Sequence, residues 1–144
     1  MADWQDRFLE LAAFIAQWSK DPSTKTGAVI VRGDKSIVSL GYNGFPKFLD
    51  DSPHDYEDRE IKYSKIIHAE MNAILYAKEP LYEAILFTWP FMSCDRCAVH
   101  VIQSGITEVV APVCPPDLEV RWGPAFQRAR DMYREAGVTL TEVQ

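Results

Sequence analysis

Two short stretches leave this chain little freedom in what it can build: His68-Ala69-Glu70 and, about 25 residues later, Cys94-Asp95-Arg96-Cys97. The first sets an imidazole and a carboxylate two residues apart. The second sets two thiols three residues apart, in a chain with only 3 cysteines. One nitrogen and two sulfur donors suit a tetrahedral zinc ion whose fourth position stays open. A carboxylate beside such an ion is placed to move protons for a bound water. Any fold that uses this set has to bring two distant segments to one point.

The spacing also constrains the local structure. On a helix, residues two apart point about 200° away from each other. His68 and Glu70 can therefore share a site only in the first turn of a helix that begins near His68, where the free N–H groups and the positive helix end face the metal. Cys94 and Cys97 fall one turn apart on a predicted helix from Cys94 to Ser104, closed by Gly105 at C′. A helix N-terminus lowers thiol pKa and favours the thiolate that a metal needs. A rival set, Cys94, Cys97 and His100 on one helix with Cys114 as a fourth ligand, would make a purely structural zinc and leave His68 and Glu70 idle. Otherwise Cys114 is expected to be a buried or half-buried free thiol.

At 144 residues the chain is expected to form a single domain, residues 1–144. With 47% hydrophobic and 25% charged residues it has material for a real core. The formal charge of -6 argues against a nonspecific polynucleotide binder, yet a small anionic substrate is compatible with it if a few cations are placed locally. No apolar run approaches the roughly 20 residues that cross a bilayer. The N-terminal residues carry no basic segment followed by an apolar one, so they are not expected to act as a signal peptide, and a cytoplasmic location is expected. An odd number of cysteines does not suggest a disulfide framework.

Along the chain, Trp4, Phe8, Leu11, Ala12, Ile15 and Trp18 recur at helical spacing, with Asp3 as N-cap, and predict a core-packing helix over residues 3–19. Residues 19–27, Ser-Lys-Asp-Pro-Ser-Thr-Lys-Thr-Gly, form a turn-rich segment, either a solvated loop or a place where hydroxyls and lysines meet an anion. Residues 28–31 and 37–41 read as a hairpin. Asn43-Gly44 is a turn; Asn43 either only makes that turn or offers its amide to a sugar hydroxyl. Residues 47–62 read as an acidic, solvated loop with His54 at the surface. Helix signals resume near Tyr63 and run to Lys78. Strands are expected at 84–88, 107–111 and 138–141, and a helix at 123–136 ending on Gly137. A strand, a crossover helix and another strand imply a parallel pair. Together these give an α/β fold with helices on both faces of a five-stranded sheet.

His68-x-Glu70 followed by Cys94-x-x-Cys97, with the segments Ser-Lys-Asp-Pro-Ser-Thr-Lys-x-Gly and Gly41-Tyr42-Asn43-Gly44, resembles the cytidine and deoxycytidylate deaminase family, and within it the deoxycytidylate branch. The resemblance covers nearly the whole chain. It implies a three-layer α/β/α fold, strand order 2-1-3-4-5, and parallel fourth and fifth strands. It implies a hydrolytic deaminase of a pyrimidine nucleotide, dCMP to dUMP, with catalytic Zn²⁺ on His68, Cys94 and Cys97 and with Glu70 as proton shuttle. It further implies that Asn43 faces the deoxyribose, that Ser23 and Lys25 lie near the 5′ phosphate, and that Ala69 and Trp89 contact substrate. Phe91 and Met92 are candidates to pack on the base, or else to make core or subunit contacts. Some relatives also bind Mg²⁺ with a regulatory dCTP or dTTP, and family members form homo-oligomers. Two departures stand out: Ser93 sits where relatives usually have Pro, and the loop before Cys94 is longer by about two residues. Alternatives are a deaminase of a free nucleoside, a modified pyrimidine nucleotide or a guanine-type base, and a non-catalytic zinc-bearing nucleotide-binding protein.

Overall fold

Alternation along one strand sets the layering. In the computed structural model, which describes residues 3–144, β1 (Gly27–Val31) is buried along its full length. Ala28 and Ile30 face one apolar cluster, Val29 and Val31 a second one on the opposite side. This is what the two-residue period of a strand demands when both sheet faces are covered. One face is packed by α1 (Trp4–Ala16), whose Phe8, Leu9 and Ala12 lie against Val29, Val31, Phe87 and Val110. The other is packed by α4 (Ala69–Tyr76), α5 (Asp95–Gln103) and α6 (Pro116–Ala136). The result is three layers, α/β/α.

The sheet runs β2-β1-β3-β4-β5, where β2 is Ile37–Tyr42, β3 Ile85–Trp89, β4 Glu108–Pro112 and β5 Thr139–Val143. β1 is antiparallel to β2 and β3, while β3–β4 and β4–β5 are parallel. The order and the parallel last pair agree with the expectation from the resemblance. Register decides what gathers at one end of the sheet. Gly27 pairs with both Tyr42 and Trp89, so the segment before β1, the turn after β2 and the loop after β3 emerge together.

Four sequence expectations shift. The first helix stops at Ala16, and Trp18 lies beyond it, 58% exposed, against the edge of Tyr42. Its Asp3 cap is as expected, accepting from the Asp6 N–H at 2.8 Å. The acidic stretch 47–62 is not all loop: α2 (Pro53–Glu57) and α3 (Arg59–Lys65) occupy much of it. Asp58 caps α3 by accepting from the N–H groups of Glu60 and Ile61, which is why the carboxylates do not prevent helix formation there. His54 is at the surface as expected. The helical pattern from Tyr63 is also broken at Ile66–His68 before α4 begins. Finally, α6 begins at Pro116, seven residues before the expected Gly123, and passes through Gly123 and Pro124. The Gly-Pro pair reads as a breaker, but Pro115-Pro116 is a better helix start, since Pro is favoured in the first turn. No helix among the described residues is long and apolar enough to cross a membrane.

Candidate metal centre and cleft

α4 owes its placement to a backbone clasp. Gly44 and Ile67 exchange both hydrogen bonds, at 3.1 and 2.8 Å, and so pin the residue before His68 to the turn after β2. His68 is then the N-cap of α4 and Glu70 lies in its first turn. This is the arrangement that the two-residue spacing requires. Cys94 is the N-cap of α5 and Cys97 lies one turn on. Gly105 follows the C-cap with a φ of 96°, a left-handed conformation suited to glycine.

The two helix N-termini converge. The Nδ1 atom of His68 is 3.1 Å from Cys97 Sγ and 3.6 Å from Cys94 Sγ. Ligands at ordinary zinc–sulfur and zinc–nitrogen bond lengths on a tetrahedron stand about 3.6 Å apart, so these three atoms fit one zinc ion. Among the described residues, no other His, Cys, Asp or Glu joins this group, which leaves a fourth corner free of protein ligands. His100 is outside it: its ring Nδ1 bonds the Arg96 carbonyl at 3.0 Å on an exposed helix face. Cys114 is a buried free thiol, its Sγ directed to the Pro115 carbonyl. The rival set on a single helix is therefore not assembled.

Electrostatics within the group favour a metal ligand and a shuttle. Hydrogen bonding from Cys97, aided by His68, lowers the Cys94 thiol to about 4, whereas the Cys97 thiol is held up by the same contact. The bond to Cys94 raises the His68 imidazole. Glu70 is 6% exposed, and burial pushes its carboxyl above the usual carboxylate range, with His68 pulling the other way. A carboxyl raised by desolvation is poised to exchange protons nearer neutrality than an exposed one.

His68, Glu70 and Cys94 line a cleft of about 400 Å³, a size suited to a small molecule. Phe91, Met92 and Phe126 line its apolar side; Asp21, Thr24, Thr26 and Asn43 line a polar side. Arg59, Lys62 and Arg121 also border it. Lys62 is neutralised by Asp21 at 2.9 Å in a partly buried pair. Arg59 and Arg121 make no ion pair among the described residues; each lies over an aromatic ring, Tyr63 and Trp122 respectively.

The substrate-contact expectations divide. Ser23 and Asn43 border the cleft, and Lys25 does not; it is exposed elsewhere on the turn-rich segment. The Asn43 amide is not free. Its Oδ1 accepts from the Thr26 N–H at 2.8 Å, and its Nδ2 donates to Asp21 and to the Thr24 carbonyl. Asn43 thus shapes the 21–26 wall, and its amide N–H groups are both spent on protein. Trp89, at the end of β3, is 37% exposed and outside the cleft lining, whereas Phe91 and Met92 are in it. Ala69 is fully buried behind His68 and is not in the lining. The sequence reading missed Arg59, Arg121 and the α6 wall. Leu118, Arg121, Trp122, Ala125 and Phe126 are spaced as one helical face, a signal visible once the helix is started at Pro116.

One imidazole, two thiols, an open corner and a buried carboxylate define a hydrolytic metal centre on a small-molecule cleft. Comparison with known proteins agrees. Residues 2–113 match the model of the cytidine and deoxycytidylate deaminase zinc-binding region. The chain is 44% identical over 141 residues to an uncharacterized deaminase in the luxG 3′ region of Aliivibrio fischeri, covering 98% of this chain and 94% of that one. It is 38% identical over 141 residues to a probable deoxycytidylate deaminase of Caenorhabditis elegans, covering 95% and 68%. Its fold superposes on the crystal structure of apo dCMP deaminase from the cyanophage S-TIM5 with a TM-score of 0.74 at 22% identity, over 96% of each chain. The protein belongs to the cytidine and deoxycytidylate deaminase family and is a deaminating hydrolase.

Proposed function

We propose that the substrate is a cytosine deoxynucleotide, dCMP, converted with water to dUMP and ammonia. The observation that carries this reading is the pair of guanidinium groups, Arg59 and Arg121, that have no carboxylate partner among the described residues and border the same cleft as His68, Glu70 and Cys94. Guanidinium groups match phosphate oxygens in geometry and charge. A free nucleoside or a bare base gives them nothing to bind. Relatives named deoxycytidylate deaminase support the same choice.

Zinc held by His68, Cys94 and Cys97 would supply a water acidified toward neutrality. The chain's own residues do the rest. Phe91, Met92 and Phe126 exclude bulk water around the pyrimidine. Glu70 takes a proton from the attacking water and passes it to N3 of the ring while C4 is attacked. It then takes the second water-derived proton from the new C4 hydroxyl and delivers it to the departing amine, which leaves as ammonia while the C4 carbonyl forms. Burial keeps its carboxyl able to hold that proton between the two steps. The Asn43-braced segment 21–26 forms the wall toward the sugar and Ser23.

The test is ammonia release from dCMP, CMP, deoxycytidine and guanine, for the zinc-loaded protein and for Arg59→Ala and Arg121→Ala. Each Arg change removes a charge-assisted contact of about 1.5–3 kcal/mol, so KM for dCMP rises roughly 10- to 100-fold. Turnover of deoxycytidine is unchanged. Equal use of deoxycytidine and dCMP by the unaltered protein would overturn the nucleotide assignment. No ammonia from any of the four compounds would favour a non-catalytic nucleotide binder.

A further inference from the structure

The Asn43 amide, spent on Asp21 and on backbone groups, has no N–H left for a sugar. Tyr56, from α2, borders the same cleft and is only 4% exposed. No acceptor for its O–H proton occurs among the described residues, and its oxygen is not among those sealed from solvent. The phenol therefore opens on the cleft with its proton unspent. The Ser23 and Thr24 hydroxyls on the same cleft belong to exposed residues and can bond to water. Tyr56 is largely cut off from water, and a buried donor without an acceptor costs free energy until a ligand supplies one. Its ring is held in place. It stacks on Phe45 with centroids 4.0 Å apart and planes 5° from parallel. Lys65 stands 4.8 Å over the Phe45 ring and binds Asp55, the neighbour of Tyr56, at 2.7 Å. A methyl carbon placed on Gly44 would lie 3.7 Å from the phenol oxygen, and Gly44 is clasped to Ile67, the residue before His68. The hydroxyl is thus fixed beside the turn that anchors the metal ligand.

We propose that Tyr56 is a specificity residue whose hydroxyl donates to the 3′-hydroxyl oxygen of the deoxynucleotide. The inference rests on the reading of the substrate above and names the group that recognises its sugar. The metal site and Glu70 take the amine-bearing edge of the base, and Arg59 and Arg121 take the phosphate. The 3′-hydroxyl is the one hydroxyl that a deoxyribose monophosphate has left, and its oxygen accepts from a phenol. The pyrimidine O2 is the rival acceptor. Arg59 opens α3 three residues after Tyr56, so a single segment of chain supplies contacts to both sugar and phosphate. A site built to hydrogen-bond a substrate hydroxyl rejects the analogue that lacks it, because the protein group is then left unpaired. The stacked, buried ring adds to this, since a donor already held in place loses little freedom on binding.

The test measures kcat/KM for ammonia release from dCMP and from 2′,3′-dideoxycytidine 5′-monophosphate, by the zinc-loaded protein and by Tyr56→Phe. The variant keeps the ring and its stack on Phe45 and loses only the hydroxyl, so it folds as the parent does. The parent should fall about tenfold on the dideoxy compound. Tyr56→Phe should be about tenfold poorer than the parent on dCMP and should use the two compounds equally. A Tyr56 that only supports the fold would slow both compounds alike and leave the preference for dCMP intact, and that result overturns the inference. The same result follows if the hydroxyl binds O2 instead. A parent that uses both compounds equally also overturns it. If the parent releases no ammonia from dCMP, the deaminase reading fails on that result. Calorimetric dissociation constants for the same four combinations then decide the contact, and absence of binding to dCMP overturns it as well.

Discussion

A methyl carbon placed on Gly41 would stand 2.4 Å from the carbonyl oxygen of Ala69 and 2.5 Å from the Ala73 amide nitrogen. β2 therefore lies directly on the backbone of the helix that carries His68 and Glu70, and only a glycine permits that approach. Both obstructing atoms are backbone, so a small side-chain adjustment cannot relieve the clash. Gly41→Ala is expected to destabilise by about 3 kcal/mol, the upper end for overpacking, as measured by denaturant unfolding. Because α4 is what moves, zinc content at limiting zinc should fall with it; a variant as stable and as zinc-replete as the parent would contradict this packing.

Metal stoichiometry separates the two ligand sets suggested by the cysteine pair. His68→Ala and Cys97→Ala each remove a ligand atom from a three-residue group, and purified protein should lose most of its zinc. His100→Ala removes only an exposed ring bonded to the Arg96 carbonyl and should keep it.

Glu70→Gln should retain zinc and lose turnover by roughly 10²- to 10⁴-fold, since the proton shuttle is gone. In metal-free protein the same change makes a thermodynamic prediction. The folded-state pKa of Glu70 is raised above its value of 4.5 as an unburied group, chiefly by burial. The folded form therefore holds the proton more tightly than the unfolded one, and stability contributed by Glu70 is complete below about pH 4.5 and is lost as pH rises through the raised value. Glu70→Gln carries no such charge. Chemical denaturation at a series of pH values should show the variant and parent nearly alike in acid and the variant increasingly more stable toward neutrality.

The Lys62–Asp21 pair is 2.9 Å apart with side chains only 14% and 3% exposed. Asp21 also accepts from the Ser23 N–H and from Asn43, so one carboxylate holds the whole 21–26 wall to α3. Asp21→Asn leaves the Lys62 ammonium uncompensated in a partly dry place. The expected cost is about 3–5 kcal/mol in unfolding free energy, with a raised KM for the nucleotide from the loosened wall.

Particular elements show how far the sequence reaches. The strands were legible to within a residue or two because their short β-branched runs are bounded by turn residues and the three central strands are buried along most of their length. The start of α6 was not, since Gly123-Pro124 carries a strong local signal for a break that the packing of Phe126, Ala129 and Tyr133 against the sheet overrides. Asn43, read from the sequence as either making the turn or offering its amide to a sugar hydroxyl, borders the cleft with that amide occupied by Asp21 and by backbone groups that only the folded chain brings within reach. Lys25 and Trp89, expected at the substrate from the resemblance, lie outside the residues that line the cleft; one residue along a turn or at a strand end changes which side a side chain leaves from.

What the sequence determined by itself is the chemistry: the donor set, the carboxylate beside it, and the demand that both His68 and Glu70 lie in the first turn of a helix, all of which follow from spacing on a backbone of known period. What only tertiary structure decided is which cations border the cleft. Arg59 and Arg121 are 62 positions apart in the chain. Their meeting depends on how α3 and α6 close over one end of the sheet, and no local periodicity encodes a contact made across layers.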